Sequence, residues 1–93
     1  MNFEWDNQKS NACYEQRGFD FLFVTKAFFD LRRVVLADER RSYGEHRYQL
    51  FGKIEHRLFI VIYTLRQDAV RIISARKANQ REIKFYENST RDS

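Results

Sequence analysis

One segment sets the terms for the rest of the chain. Leu58-Phe59-Ile60-Val61-Ile62-Tyr63-Thr64 is built from β-branched and aromatic residues. Its apolar side chains fall on both faces, as in a central strand buried from two sides. The remaining sequence must therefore supply neighbouring strands and two layers of cover. The chain has 93 residues, of which nine are Phe, five Tyr and one Trp. That is enough apolar material for one packed domain over residues 1–93, with roughly 88–93 expected as a disordered tail.

The flanking segments can be read around that strand. Asn2-Phe3-Glu4-Trp5 reads as a short first strand, and Asp6 stands where a helix N-cap belongs. A polar helix follows to about Arg17, stopped by Gly18 in the left-handed conformation. Asp20 caps a second helix whose stripe runs Phe21, Val24, Phe28, Leu31, widened by Phe23, Ala27 and Phe29. Such a wide stripe means burial on more than one side, or cover by a partner.

Val34–Ala37 is a short apolar run, and Asp38 to Gly44 a polar loop. Glu45 to Phe51 reads as a strand and Gly52 to His56 as the following turn. Arg66-Gln67-Asp68 turns the central strand into Val70–Ser74. Asn79 and Glu82 have capping-box spacing and open a closing helix through Tyr86. The order is β-α-α-β-β-β-β-α, with short turns joining antiparallel neighbours. The expected class is α+β.

Charge is distributed unevenly. Residues 40–84 carry eleven Lys/Arg against four Asp/Glu, whereas residues 1–39 carry five against seven. Twelve of the seventeen basic residues are Arg, the side chain suited to bidentate phosphate contacts. A polyanionic partner such as nucleic acid fits this pattern. A merely solvated charged surface fits it too.

Most enzyme machinery is missing. The sequence has no glycine-rich phosphate loop and no G-x-S-x-G elbow. Cys13 stands alone and reads as a packed residue, while His46 and His56 have no visible orienting partner. No Asp/Glu/His cluster has metal-ligand spacing, so no metal and no cofactor is expected. No apolar run reaches membrane-spanning length, and the N-terminus carries no basic-then-apolar leader. A cytoplasmic protein is expected.

One chemistry needs none of the missing parts. RNA can be cleaved by its own 2′-OH if the protein orients that group and stabilises charge on the phosphorane. Glu45 and Arg47 lie two residues apart on one strand, Arg71 two strands away, and Arg76 at the strand-to-helix junction. These four could meet on one side of the sheet. Glu45 would then orient an arginine or accept the 2′-OH proton. An Arg71–Glu45 ion pair holding strands in register is the competing reading. Trp5, Tyr63 and Tyr86 could stack on bases, although core packing is the commoner use of such residues.

The motifs carry a resemblance over nearly the whole chain. They are Phe3-Glu4-Trp5-Asp6 with Lys9, Gly18 and Phe21, Gly44-Glu45-His46-Arg47, Ile62-Tyr63-Thr64, and Arg71 through Lys77-Ala78 with Glu82 and Tyr86. Together they resemble the BrnT family, the toxins of type II toxin–antitoxin pairs. The resemblance implies a RelE-like fold, a twisted antiparallel sheet carrying helices, and cleavage of RNA, free or ribosome-bound, that blocks translation. It implies a BrnA-like antitoxin of ribbon-helix-helix type, in a complex of two toxins with two antitoxins. Operator DNA would be met only through that antitoxin, and no membrane is involved. Glu45, Arg47, Arg71 and Arg76 fall on the motif positions and form the expected catalytic set. Trp5, Lys9, Arg66, Arg81, Lys84 and Tyr86 form the expected RNA contacts. The chain departs from the family pattern at Cys13, where Asn is usual, at Gln16-Arg17-Gly18, where Lys-His-Gly is usual, and at Leu22 and Phe23, where acidic residues are common. A catalytically weak, toxin-like RNA-binding partner of the antitoxin is the alternative.

Overall fold

The computed structural model describes residues 1–39 and 44–91. Much of the expected polar loop, residues 40–43, therefore lies outside the described residues. The elements are β1 (Asn2–Trp5), α1 (Asn7–Arg17), α2 (Phe21–Val24) running into a 3₁₀ turn (Thr25–Phe29), β2 (Val34–Ala37), β3 (Arg47–Ile54), β4 (Arg57–Arg66), β5 (Ala69–Lys77) and α3 (Gln80–Thr90). This is the expected α+β order.

The helix boundaries follow from local chemistry. Asp6 accepts from the N–H of Gln8 at 2.8 Å, and Gly18 closes α1 at φ 86°. Asn79 and Glu82 complete a reciprocal capping box. Three expectations shift. The second helix tightens into a 3₁₀ turn after Val24, leaving Leu31 off the stripe and 95% exposed. β3 runs through Gly52 to Ile54, so the turn is only Glu55-His56, with Glu55 at φ 58°. α3 continues past Tyr86 to Thr90, because Glu87 to Thr90 contains neither Gly nor Pro. Residues 88–90 thus belong to the helix rather than to a tail.

The five strands lie in the order β1-β5-β4-β3-β2. β2 through β5 pair antiparallel, as the two-residue turns require for β3–β4 and β4–β5. β1 is the exception, adding to the edge beside β5 in parallel, so the sheet is mixed. A parallel neighbour needs a long connection rather than a hairpin, and α1 starts that return path.

Two apolar clusters sandwich the sheet. On one face Phe59, Val61, Ile72 and Ala75 meet Cys13, Phe19, Phe21, Val24 and Phe28 from the N-terminal helices. On the other, Phe51, Leu58, Ile60 and Ile62 meet Ile83 and Tyr86 from α3. Alternate residues of β4 enter opposite clusters, which is the two-sided burial that its sequence demands. Cys13 is a packed residue here, and burial pushes its thiol up from the usual value. Among the described residues no helix is long and apolar enough to cross a membrane.

Candidate active site on the α3 face of the sheet

A β-bulge decides which side chains share a face. Ile62 pairs with Ser74 but Tyr63 pairs with Ile72, so Ile73 is the extra residue in β5. Strict alternation would put Arg71 and Arg76 on opposite faces. The bulge resets the phase, and both lie on the face that α3 packs against.

The cross-strand registers then build a polar row. Glu4 of β1 pairs with Arg71 of β5, Arg71 with Thr64 of β4, and Thr64 with Arg47 of β3. Phe3 and Trp5 pack against the N-terminal helix cluster, so Glu4 between them points to the other face. Neither apolar cluster includes this end of the α3 face. Arg47 and Arg71 are two strand spacings apart, roughly 9.5 Å, within reach of one phosphate for two long side chains.

Each of these arginines holds a carboxylate. Arg71 Nη1 donates to Glu4 Oε2 at 2.8 Å, and Arg66 Nη1 approaches the same oxygen at 3.8 Å. Arg47 Nε donates to Glu45 Oε2 at 3.1 Å. Arg71 is thus paired with Glu4, and the competing reading of an Arg71–Glu45 pair does not hold. Between the arginines, Thr64 is 3% exposed, and its hydroxyl donates to the carbonyl of His46 at 2.6 Å. That bond ties the irregular segment carrying Glu45 and His46 to the central strand.

Arg76 lies elsewhere. It pairs with Ile60 rather than Thr64, four residues or roughly 13 Å along the strand from Arg71. There it grips Glu82 of α3 with two bonds, at 2.8 and 2.7 Å. The expected set of four therefore divides into Glu45, Arg47 and Arg71 at the open end and Arg76 beneath the helix.

The expected RNA contacts are also dispersed. Arg66 joins the open row through Glu4. Arg81 and Lys84 are exposed on α3, on the same side of the sheet. Lys9 is exposed on α1, against the opposite face. Trp5 is half-buried in the N-terminal helix cluster, as is Tyr63. Tyr86 is 4% exposed, so its ring is committed to packing, and its hydroxyl donates to Asp30 Oδ2 at 2.6 Å. Among the described residues, no group of three His, Cys, Asp or Glu side chains is placed to hold a metal ion.

This arrangement presents fixed guanidinium charge, flanking carboxylates and a buried hydroxyl on a partly exposed strand surface. Over residues 5–82 the chain matches the family described as the ribonuclease toxin, BrnT, of type II toxin–antitoxin systems. The chain belongs to the BrnT family. No curated protein matches it significantly. Membership in a type II toxin family makes the protein a ribonuclease toxin in general terms, with a protein antitoxin as partner. It also gives the arginine row of this BrnT-family chain a substrate class to be judged against.

Glu4 and Thr64 are the residues that sequence reasoning left out of the site. The alternation Phe3-Glu4-Trp5 signals that Glu4 faces away from its neighbours. Nothing local signals that it meets Arg71, 67 positions away.

Proposed function

We propose that the chain is a metal-independent endoribonuclease that cleaves RNA through the substrate's own 2′-OH and so inhibits translation in the cytoplasm. The observation that carries this reading is the row Glu4–Arg71–Thr64–Arg47, with Glu45 on Arg47, partly exposed on the α3 face. Arg47 and Arg71 hold the phosphate from two sides and offset the charge that develops on the phosphorane. Glu45 orients Arg47 or receives the 2′-OH proton. Arg66, Arg81 and Lys84 extend positive charge along the same side and guide the strand.

A BrnA-like antitoxin neutralises the toxin in a complex of two with two, and it alone contacts operator DNA. Its docking surface is the other side of the molecule. There Phe19, Phe23, Ile54 and Phe59 floor a groove of about 470 Å³, with Arg17, Arg57 and Lys77 against Asp20 and Glu55 at its rim. Leu22, 64% exposed, stands beside it. An apolar floor with three cations against two carboxylates at the rim suits an amphipathic segment of the antitoxin.

The test of the catalytic reading is the substrate's own hydroxyl. An RNA oligonucleotide with a single 2′-deoxyribose at the cleaved position is expected to resist at that bond only. The all-ribose strand is expected to yield a 2′,3′-cyclic phosphate or 3′-phosphate end. Cleavage of the deoxy position, or a 5′-phosphate product, would overturn the reading. A second reading, of a weak enzyme acting chiefly as antitoxin partner and co-repressor, draws on the carboxylates that already neutralise Arg47 and Arg71. It expects RNA binding without either product.

A further inference from the structure

Glu4 sits at the end of the row with a carboxylate that is held but not used up. Both of its contacts run to Oε2, from Arg71 at 2.8 Å and Arg66 at 3.8 Å. Oε1 has no hydrogen-bond partner among the described residues. The backbone of Glu4 is fixed by the β1–β5 register, and Phe3 and Trp5 on either side are packed into the core. Glu45, the other carboxylate, precedes β3 in an irregular segment. Groups on strands are placed more accurately than groups on loops.

On the ribonuclease reading given above, we propose that Glu4 is a catalytic residue, the carboxylate that accepts the 2′-OH proton. A phosphate bound by Arg71 lies next to the strand that carries Glu4, whose carboxylate already reaches the Arg71 guanidinium. Arg71 then serves two anions, orienting Glu4 and binding the phosphate. As the 2′-oxygen attacks, its proton passes to Glu4, the O2′–P bond forms and the P–O5′ bond breaks. The leaving 5′-oxygen takes a proton from water, and the proton on Glu4 neutralises the hydroxide that remains. The products are a 2′,3′-cyclic phosphate and a 5′-hydroxyl, with nothing consumed. The charged groups facing Glu4 are Arg71 of β5 and Arg66 of β4.

The role separates from a purely structural tie between β1 and β5 by charge. Glu4→Gln keeps an oxygen that accepts from Arg71 but takes up no proton, whereas Glu4→Asp keeps the carboxylate. Cleavage by Glu4→Gln is expected to fall by about 100-fold or more, with RNA binding retained and melting within about 5 °C of the parent. Glu4→Asp is expected to cleave faster than Glu4→Gln. Should the amide variant not fold, Glu4→Ala with added formate carries the test, its rate rising saturably with formate at unchanged melting temperature. Cleavage by Glu4→Gln within about threefold of the parent, or equal to that of Glu4→Asp, would overturn the role while leaving the ribonuclease reading in place. A parent protein that cleaves no RNA would overturn both.

Discussion

Tyr86, expected from the sequence to contact RNA, is held by packing and by a hydrogen bond to Asp30. The Tyr86 hydroxyl donates to Asp30 Oδ2 at 2.6 Å, and the same oxygen accepts from the N–H of Lys53 at 2.8 Å. Burial pushes the Asp30 carboxyl up, but the Lys53 N–H, the Tyr86 hydroxyl and the Arg32 N–H together hold it below the usual carboxylate value. Burial and the bond to Asp30 push the Tyr86 hydroxyl well above its ordinary value. A depressed carboxyl contributes stability that is present above its unfolded value, about pH 4, and is lost as pH falls through the folded value. A raised tyrosine contributes stability that is present below about pH 10 and is lost as pH rises through its folded value. Tyr86→Phe is expected to cost about 1.5–3 kcal/mol at neutral pH and to flatten both limbs of the stability–pH curve, as urea unfolding at pH 3, 7 and 10.5 would show.

At the scale of elements, the reading from sequence succeeded where local chemistry decides. Asp6, Gly18, Asn79 and Glu82 mark the helix ends, and the apolar run of β4 marks the sheet centre. It went astray where tertiary contact decides. Gly52 reads as a turn residue, yet it lies inside β3 because the 3₁₀ turn crosses it closely. A Cβ there would come within 2.4 Å of the Ala27 carbonyl oxygen. Gly52→Ala is therefore expected to destabilise by about 1–3 kcal/mol through overpacking, seen as a lowered melting temperature. The bulge at Ile73 is equally silent in the sequence, and it alone puts Arg71 and Arg76 on one face. Arg76 was legible as a motif position but not as the clamp on Glu82, since that pairing needs α3 folded back across the sheet.

The whole molecule has two sides with different chemistry. The α3 side carries the arginine row, and α3 presents Arg81 and Lys84 to solvent on the same side of the sheet. The N-terminal helix side carries exposed Leu22 and Phe23 and the groove beside them. On this account catalysis and neutralisation use separate surfaces. Leu22→Asp is expected to stay within about 0.5 kcal/mol of parent stability, as exposed positions do, and to weaken antitoxin binding at least tenfold by calorimetry while the free toxin cleaves RNA at the parent rate. Parent-like antitoxin affinity would move the docking surface elsewhere. The element order, the helix caps and the basic half of the chain were legible in the sequence, but a division of roles between the two faces was not. Its exact residues depended on the parallel β1 edge, which brings Glu4 to Arg71 and has no local signature.

If the arginine row on the α3 face cleaves RNA, its two guanidinium groups carry the activity. The most direct measurement is RNA cleavage in EDTA by the parent protein and by a folded Arg47→Ala/Arg71→Ala variant purified alike. The account predicts cleavage by the parent and a loss of at least about 100-fold in the variant, as expected when the donors that stabilise transition-state charge are removed. Equal cleavage by the two proteins would contradict it.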